Sequence, residues 1–419
     1  MDKKTIFVIS DHIGHPSGVA HQTREFIHAL LQTGRYRFVC LGGGVKHNDY
    51  RPSRTEEWGD DLIIYPVDGY GTPDIVRSTI RTHRPDVLWY MTDPRYFAWL
   101  HQIADEILPL MPMVWYTIWD NYPAPLFNKP GYDSNSVLVC ISKLTYDVVK
   151  EVSPKAEVRY LPHAVNTEVF RKLPVGEMKN IRSRLMQNED NPERMLFFWN
   201  SRNALRKKLG TTIYYFKQFL DIIGHENAGL ILHTEPKDPM GQDIIRIMAD
   251  LGLTQGQIIL SHEKVPQEAL AHMYNIASCT ISISQAEGHG LSITESLACE
   301  TPVIVSMTGG LQSQVTDGQD WFGIGLEPVS KPVVGSQEVP YIFDDHVSEQ
   351  EFVDSLVKFY NMSAAERAEM GRKGREHVLK NFSFNMYKKE WINLMDYVVE
   401  KYGSWKTRKH YQAWELQTL

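Results

Sequence analysis

The chain has 419 residues, of which 42% are hydrophobic, 23% charged and 11% aromatic, and its formal net charge is -7. This length exceeds what one ordinary hydrophobic core fills and indicates two domains. The composition excludes long disordered or low-complexity segments. The acidic balance argues against a protein whose main work is to hold nucleic-acid phosphates non-specifically, because that work needs clustered lysines and arginines.

The cysteines and the apolar runs indicate the compartment. The four cysteines lie far apart, without the Cys-x-x-Cys spacing of zinc or redox sites, at Cys40, Cys140, Cys279 and Cys299. We expect them to be reduced core residues. The start of the chain, MDKKTIFVISDHIG, has too few apolar residues for the core of a signal peptide, and no run approaches the ~20 residues that span a bilayer. The sequence predicts a cytoplasmic protein with no integral membrane segment and leaves peripheral membrane contact open.

Short apolar or β-branched runs alternate with amphipathic stretches along the whole chain, which is typical of parallel sheets covered by helices. In the first half, strands are predicted at TIFVIS, RFVCLG, LIIYP, DVLWYM, MVWYTI, VLVCIS and VRYLP. One helix is predicted after Gly18 and another after Ser142, whose hydroxyl can cap it.

The apolar pattern lapses between about Asn166 and Arg194, and MLFFWN then opens a new strand. We predict the domain boundary there, with an N-terminal domain over 1–185 and a C-terminal domain over 190–385. The second domain repeats the alternation with GLILH, QIILS, CTISIS and PVIVS. From Ser348 onward the pattern is helical, and the segment 386–419 is expected to pack back on the first domain.

The strongest functional signal is the glycine loop that follows CTISIS and precedes a predicted helix. Gly288 and Gly290 let the backbone approach a bound group, and the N–H groups that open the helix can bind a diphosphate. Glu295 lies about one turn into that helix, where its carboxylate can accept hydrogen bonds from two ribose hydroxyls. Glu287 lies in the loop and can face a transferred sugar.

Two structural interpretations stay open for this loop. Ser292-Ile-Thr-Glu295 is also a capping box, in which the glutamate only satisfies the N-terminus of the helix. The glycines also suit an ordinary tight turn between a strand and a helix.

A basic loop follows the first strand of the second domain and holds Arg202, Arg206, Lys207 and Lys208. Ligands of parallel sheets bind beyond the carboxyl ends of the strands, so this loop and the glycine loop are predicted to point into the same crevice. Cations there can neutralise a diphosphate. The alternative is a solvated basic loop, although positive side chains early in a helix oppose its dipole.

These segments resemble the retaining glycosyltransferases of family 4. The family motif is a Glu, then glycine-aromatic-glycine-leucine, then a second Glu eight positions after the first, and it is met by Glu287, Gly288, Gly290, Leu291 and Glu295. The resemblance implies the α/β GT-B fold, with two Rossmann-like domains facing a central cleft and C-terminal helices. It also implies that the first domain takes the acceptor and the second the nucleotide-sugar donor.

The resemblance also implies the site residues. The family's Arg and Lys pair on the diphosphate matches Arg206 and Lys207, with Lys208 a less suitable occupant. The expected donor-binding positions are Ser17, Gly18, Arg202, His289, Gly290, Leu291, Glu295, Gly309 and Gly310. The expected catalytic residues are Arg206, Lys207, Glu287 and Asp120.

The chain departs from the family at several places, one of them Ser17, which replaces a glycine of the family's paired-glycine loop. His289 replaces the usual aromatic residue, and Glu300 replaces a glycine. Many members carry a His-Asp pair in the first domain where this chain has Trp119-Asp120, so Asp120 is expected to share that task.

The sequence therefore predicts an enzyme that moves a hexose-type sugar from a nucleotide diphosphate sugar to an acceptor, and the resemblance implies retention of anomeric configuration. No Asp-x-Asp occurs, so no metal is expected. No cofactor is predicted either, since the nucleotide sugar is the donor substrate. A glycan, a lipid, a protein or a modified nucleobase stays open as acceptor, and so does the oligomeric state. The alternatives are a sugar-nucleotide epimerase, a glycoside hydrolase that uses the two glutamates of the motif, and a non-catalytic sugar-nucleotide binding protein.

Overall fold

The computed structural model describes residues 3–186, 191 and 193–411. They divide into two compact units, one formed by 3–163, 337–339 and 384–411, and the other by the remaining described residues. The predicted boundary reaches into 187–190, and the predicted terminal segment ends in 412–419, both of which lie outside the described residues.

The division between the units comes earlier than the predicted boundary, at His163 and Ala164. Residues 164–186 join the second unit because their sparse apolar side chains, such as Phe170 and Ile181, lie in its core. The polar composition of this stretch hid those contacts from the sequence pattern.

The first unit is an eight-stranded sheet in the order β3-β4-β2-β1-β5-β6-β7-β8, parallel except for β3. Its strands are β1 Lys4–Asp11, β2 Tyr36–Gly43, β3 Ser53–Arg54, β4 Leu62–Pro66, β5 Val87–Thr92, β6 Met113–Thr117, β7 Val137–Cys140 and β8 Val158–Tyr160. Its helices up to residue 163 are α1 Gly18–Leu31, α2 Pro73–His83, α3 Ala98–Gln102, α4 Ala104–Ile107, α5 Lys129–Asp133 and α6 Lys143–Val152.

The second unit is a six-stranded parallel sheet in the order β11-β10-β9-β12-β13-β14, with a separate two-stranded hairpin. Its strands are β9 Met195–Asn200, β10 Ala228–His233, β11 Ile258–Ser261, β12 Cys279–Ser282, β13 Val303–Ser306, β14 Gly323–Leu326, β15 Val333–Val334 and β16 Ile342–Phe343. Its helices are α7 Val175–Leu185, α8 Leu209–Ile223, α9 Ile244–Asp250, α10 Gln267–Ile276, α11 Leu291–Ala298, α12 Gln312–Val315, α13 Glu349–Asn361 and α14 Ala364–Asn381.

Every predicted strand is present within a few residues of its expected position. The strands in the middle of the two sheets, β1 and β9, are buried. In β1, Ile6 to Ile9 are at most 1% exposed, as expected for a sheet with helices on both faces. Ser142 caps α6 as predicted, because its Oγ accepts from the Thr145 N–H at 3.1 Å. The strands β3, β14, β15 and β16 were not predicted.

The last helix, α15 (Phe384–Tyr402), belongs to the first unit and packs on α1. The ring of Trp391 lies edge-on to Phe26 with centroids 4.8 Å apart. Near its end, the carboxylate of Glu157 accepts hydrogen bonds from Tyr397 at 2.7 Å and Tyr402 at 2.6 Å. Apolar packing and a satisfied half-buried carboxylate thus hold this helix against the sheet.

Glu300, where the family has a glycine, adopts a left-handed backbone with φ of 60° just after α11. A left-handed conformation costs an L-residue roughly 1–2 kcal/mol, whereas glycine adopts it freely. No hydrogen bond or ion pair of the Glu300 side chain is recorded among the described residues. Glu300→Gly is therefore expected to raise the free energy of unfolding by ~1 kcal/mol, measured by urea denaturation.

The matched control for this prediction is Gly371→Ala in α14. A Cβ at residue 371 would lie 2.1 Å from the carbonyl oxygen of Glu300, so alanine has to push the two segments apart and lower stability. A Glu300→Gly protein that unfolds at lower urea than the wild type would contradict the strain at this position.

Candidate functional site

Both sheets reverse their strand order at one point. The first runs β4-β2-β1-β5-β6-β7 and the second β11-β10-β9-β12-β13-β14, so the reversals lie between β1 and β5 and between β9 and β12. In open parallel sheets, ligands bind beyond the carboxyl ends of the strands at such a switch point. The loops after β9 and β12 therefore lie at the switch point of the second unit.

The loop after β9 brings the two predicted cations to Glu287. Lys207 Nζ forms an ion pair with Glu287 Oε2, and Arg206 Nη1 lies 3.7 Å from the same oxygen. Arg206 Nη1 also donates to the carbonyl oxygen of Ala286 at 3.0 Å, and its own carbonyl accepts from the Gln285 N–H at 2.9 Å. The basic loop and the glycine loop are thus joined, as predicted for loops that face one crevice.

Burial and charge act against each other on Glu287. Burial opposes ionisation, but Lys207 and then Arg206 outweigh it and hold the pKa of Glu287 below its usual range. The side chains of Lys207 and Glu287 are 12% and 14% exposed, whereas that of Arg206 is 44% exposed. The pair is thus an ionised, largely buried cluster with a more accessible guanidinium beside it.

Lys208 and Arg202, the other cations of this loop, pair with other carboxylates. Lys208 has φ of 55°, and its Nζ lies 2.8 Å from Asp344 Oδ1. The guanidinium of Arg202 donates to both carboxylate oxygens of Asp238, at 2.6 and 3.0 Å, and its side chain is 65% exposed. A donor contact of Arg202 stays a prediction.

The two glycine loops of the second unit pack backbone against backbone. The Gly310 N–H donates to the carbonyl oxygen of Glu287 at 2.8 Å, and a Cβ at Gly310 would lie 2.5 Å from the carbonyl oxygen of Gly288. Gly309, just before it, has φ of 52° and opens the 3-10 turn Gly309–Leu311. Only glycine allows this approach at residue 310.

The N-terminus of α11 follows a glycine with left-handed backbone geometry. Gly290, with φ of 89°, precedes the helix, no side chain caps it, and no acidic residue lies in its first turn. Within the described residues, the N–H groups of Leu291 and of the next residue have no side-chain acceptor, as an anion site requires.

Glu295 does not cap this helix, so the capping-box interpretation is wrong. The residue before the helix is Gly290, not Ser292, and Glu295 Oε2 instead accepts a hydrogen bond from the Tyr274 hydroxyl at 2.8 Å. Burial raises the pKa of Glu295 to about 7, and the bond from Tyr274 partly opposes this rise. A carboxylate kept off the helix end is available to hydroxyl donors.

The histidine that replaces the family's aromatic residue is a packing residue in this structure. His289 is 4% exposed, its Nε2 lies 3.1 Å from Thr294 Oγ1, and its ring stands edge-on to Phe382 with centroids 5.5 Å apart. The imidazole thus occupies the interior as an aromatic ring would. Contact of His289 with a donor stays a prediction.

In the first unit, Ser17 and Gly18 lie at the carboxyl end of β1. Ser17 Oγ accepts from the Ala20 N–H at 3.0 Å and donates to the carboxylate of Asp11, while Gly18 is the first residue of α1. Asp11 also accepts from the Tyr70 hydroxyl at 2.8 Å. Sequence reasoning missed Asp11, although an acidic residue that ends a strand before a glycine loop is a usable signal.

Asp120 follows β6 in the first unit and is half-buried. The preceding Trp119 is 5% exposed, with its ring 5.7 Å from Phe127, so the residue in the family's histidine position is a core residue here. The structure brings Arg206, Lys207 and Glu287 together within one unit. Their catalytic roles and that of Asp120 stay predictions.

The described residues offer neither a cluster of metal ligands nor a helix that could span a membrane. Within 3–186, 191 and 193–411, no group of three or more His, Cys, Asp or Glu side chains could hold a metal ion. In the same residues, no helix is long and apolar enough to cross a membrane.

Known proteins resemble the chain at two levels. Residues 217–377 match the family model described as Glycosyl transferases group 1, a range that contains Glu287, Glu295 and Gly310 and begins after Lys207. The D-inositol 3-phosphate glycosyltransferase of Frankia alni is 36% identical over 75 residues. That segment is 18% of this chain and 18% of the relative, so the match spans less than a fifth of the curated protein.

Solved structures match over nearly the whole chain. Sucrose-phosphate synthase from Thermosynechococcus elongatus has a TM-score of 0.74 at 16% identity, with 95% of this chain and 100% of that chain covered. HepE of Anabaena in complex with UDP and glucose has a TM-score of 0.69 at 13% identity, with 94% and 100% covered. At such identities the likeness shows the fold, and it confirms the predicted α/β GT-B class.

Proposed function

We propose that the protein is a glycosyltransferase that moves a hexose-type sugar from a nucleotide diphosphate sugar to an acceptor. The observation that carries the proposal is the convergence at the second switch point of Arg206, Lys207 and the uncapped N-terminus of α11, with Glu295 one turn further on. Two cations and free N–H groups suit a diphosphate, and a carboxylate at that spacing suits the ribose. The matched Glycosyl transferases group 1 model supports this assignment.

In the proposed reaction, the bond between the sugar and the diphosphate breaks, and negative charge grows on the leaving nucleoside diphosphate. Arg206, Lys207 and the N–H groups at Leu291 stabilise that charge without reorganisation. Glu287 orients the sugar hydroxyls, and its ion pair with Lys207 fixes both side chains before the donor arrives. The resemblance to the family 4 enzymes supports retention of configuration.

The proposal includes the cellular setting and the partners. The four cysteines are unpaired and buried, which supports a reducing compartment such as the cytoplasm. The leaving-group charge is met by protein groups, so transfer is proposed to need no metal. The acceptor panel comprises glycans, lipids, proteins, a modified nucleobase and inositol phosphates. Inositol phosphates are included because a curated relative that matches 75 residues of this chain is named D-inositol 3-phosphate glycosyltransferase.

Nucleotide binding tests the proposal first. Millimolar UDP, GDP, ADP and dTDP are added separately with EDTA present, and at least one is expected to raise the melting temperature, because a ligand stabilises by RT ln(1 + [L]/Kd). At a concentration 100 times Kd the stabilisation is about 2.7 kcal/mol. If none of the four nucleotides changes the melting temperature, the proposed donor site is refuted. If a shift appears only after Mn²⁺ or Mg²⁺ is added, the proposal that the protein works without a metal is refuted.

Turnover then separates the alternatives. A transferase releases nucleotide from its sugar donor faster when the acceptor is present, and the new glycoside forms. An epimerase converts the donor when incubated alone, a hydrolase cleaves a glycoside without nucleotide, and a binding protein shows affinity without turnover. Any of these three results would replace the proposed activity.

A further inference from the structure

A chain of hydrogen bonds links the end of β9 to Glu295 through a buried tyrosine. Asn200 Nδ2 donates to Tyr274 Oη at 2.9 Å, and Tyr274 Oη donates to Glu295 Oε2 at 2.8 Å. Tyr274 lies on α10 and is 0% exposed. The three side chains come from three different elements of the second unit.

The two hydrogen bonds of the Tyr274 hydroxyl fix the direction in which it donates its proton. A phenol has one proton to donate, and the amide of Asn200 already occupies an acceptor position on Oη, so the proton points at the carboxylate. The ring is fixed as well, because Phe198 stands edge-on to it with centroids 4.9 Å apart and Thr301 Oγ1 donates to its main-chain oxygen at 2.7 Å. Such a bond to an ionised carboxylate is stronger than one between neutral groups.

We propose that Tyr274 is a positioning residue for nucleotide binding, which holds the Glu295 carboxylate ionised and turned so that Oε1 meets the ribose hydroxyls. This rests on the proposed function. Within the described part of the chain, no protein donor to Oε1 is recorded, while Oε2 is held by Tyr274. One oxygen is thus fixed by the protein and the other is presented to a ligand.

The charge on Glu295 is sensitive to this bond. Burial is the main cause that raises the pKa of Glu295 to about 7, and the Tyr274 bond lowers it. The Cys299 thiol, on the segment just after α11, also interacts electrostatically with Glu295. From α14, Arg375 faces the same helix, but its guanidinium donates to the carbonyl oxygens of Ala298 and Phe170.

The pH dependence of binding follows from that charge. Ribose hydroxyls donate to the ionised form, so nucleotide affinity should rise as the pH is raised through about 7 and level off above it. Removing the Tyr274 hydroxyl disfavours the ionised form and moves the rise to higher pH. One hydrogen bond to a charged group corresponds to about one pH unit.

The experiment is a calorimetric titration of wild type and variants with whichever of UDP, GDP, ADP or dTDP stabilises the wild type, from pH 5.5 to 9. For Tyr274→Phe, the midpoint of the rise is expected about one pH unit higher, with about fivefold weaker binding at pH 7 and recovery towards wild-type affinity at pH 9. Asn200→Ala is expected to shift the midpoint in the same direction by less. Glu295→Gln should lose the rise and show only the titration of the terminal phosphate, which all variants share.

The matched control is Tyr387→Phe, which removes another fully buried hydroxyl, one that donates to the Gln22 carbonyl oxygen at 3.1 Å in the first unit. Its midpoint should equal that of the wild type. If the wild type binds none of the diphosphates, the donor site itself fails. If the wild type binds and neither Tyr274→Phe nor Asn200→Ala moves the midpoint, the donor site stands and the positioning role of Tyr274 is refuted.

Discussion

Replacing Arg206 with alanine is expected to lower kcat by roughly a hundred- to a thousandfold, because one preorganised electrostatic contact is lost at about 3 to 4 kcal/mol of barrier. Charge on the diphosphate grows as the glycosidic bond breaks, so a fixed cation stabilises the transition state more than the ground state. The Arg206 side chain is 44% exposed, so its loss should change the melting temperature little. Steady-state kinetics and a melting curve of the same preparation measure both.

Lys207→Ala should lower kcat as strongly, but the structure adds an effect on stability. Its ammonium and the carboxylate of Glu287 are both largely buried, so alanine leaves that carboxylate with Arg206 as a more distant and more exposed cation. We expect the melting temperature to fall and the pKa of Glu287 to rise towards its usual value. The double variant Lys207→Ala with Glu287→Gln should recover stability without recovering turnover, because the unpaired charge is removed and the catalytic cation is still missing.

Lys208→Ala is the matched control for both changes, since it removes a neighbouring positive charge that pairs with Asp344. Lys208→Ala is expected to lower kcat much less than the other two changes do. The small effect would come from loosening of the loop that leads into α8. If turnover requires Lys208 but not Lys207, the lysine that binds the diphosphate has been assigned one residue too early. Wild-type turnover in all three variants would refute the leaving-group mechanism.

The positions of the strands followed from the sequence because parallel strands buried on both faces leave apolar runs that periodicity detects. The strand β14 was not predicted from the sequence because Gly-Ile-Gly-Leu has low strand propensity. The structure explains the first glycine, since a Cβ at Gly323 would lie 2.1 Å from the carbonyl oxygen of Val303 on the neighbouring strand. Close approach between chain-distant backbones is a requirement that composition does not reveal.

Some residues of the candidate site could be predicted from the sequence, and others could not. Glu287 and Glu295 belong to one sequence motif, whereas the cation loop with Lys207 lies 80 residues earlier in the chain. The switch-point rule nevertheless predicts that the two loops lie together. Tyr274 could not be predicted, because its contact with Glu295 depends on how α10 packs against α11. Spacing also could not assign Lys208, whose partner Asp344 lies far along the chain.

Gly310→Ala is expected to weaken diphosphate binding and to lower kcat by roughly a hundredfold, since a misplacement of about 1 Å in a catalytic site can cost that much in rate. A Cβ at residue 310 would lie 2.5 Å from the carbonyl oxygen of Gly288 and 2.8 Å from His289 Cα, and both atoms belong to backbone that no rotamer change can move. The loop that carries Glu287 and leads into α11 must therefore shift, and its hydrogen bond from the Gly310 N–H is strained.

The control for this change is Gly176→Ala on α7, where a Cβ meets nothing within 4 Å and the backbone needs no positive φ. Alanine there should stabilise the protein by roughly 0.4–1 kcal/mol and leave binding unchanged. Circular dichroism and calorimetric titration with the stabilising diphosphate distinguish a displaced loop from an unfolded protein. A folded Gly310→Ala protein with wild-type affinity would show that the contact between the two glycine loops does not hold the donor site, because the added methyl group leaves that contact no room.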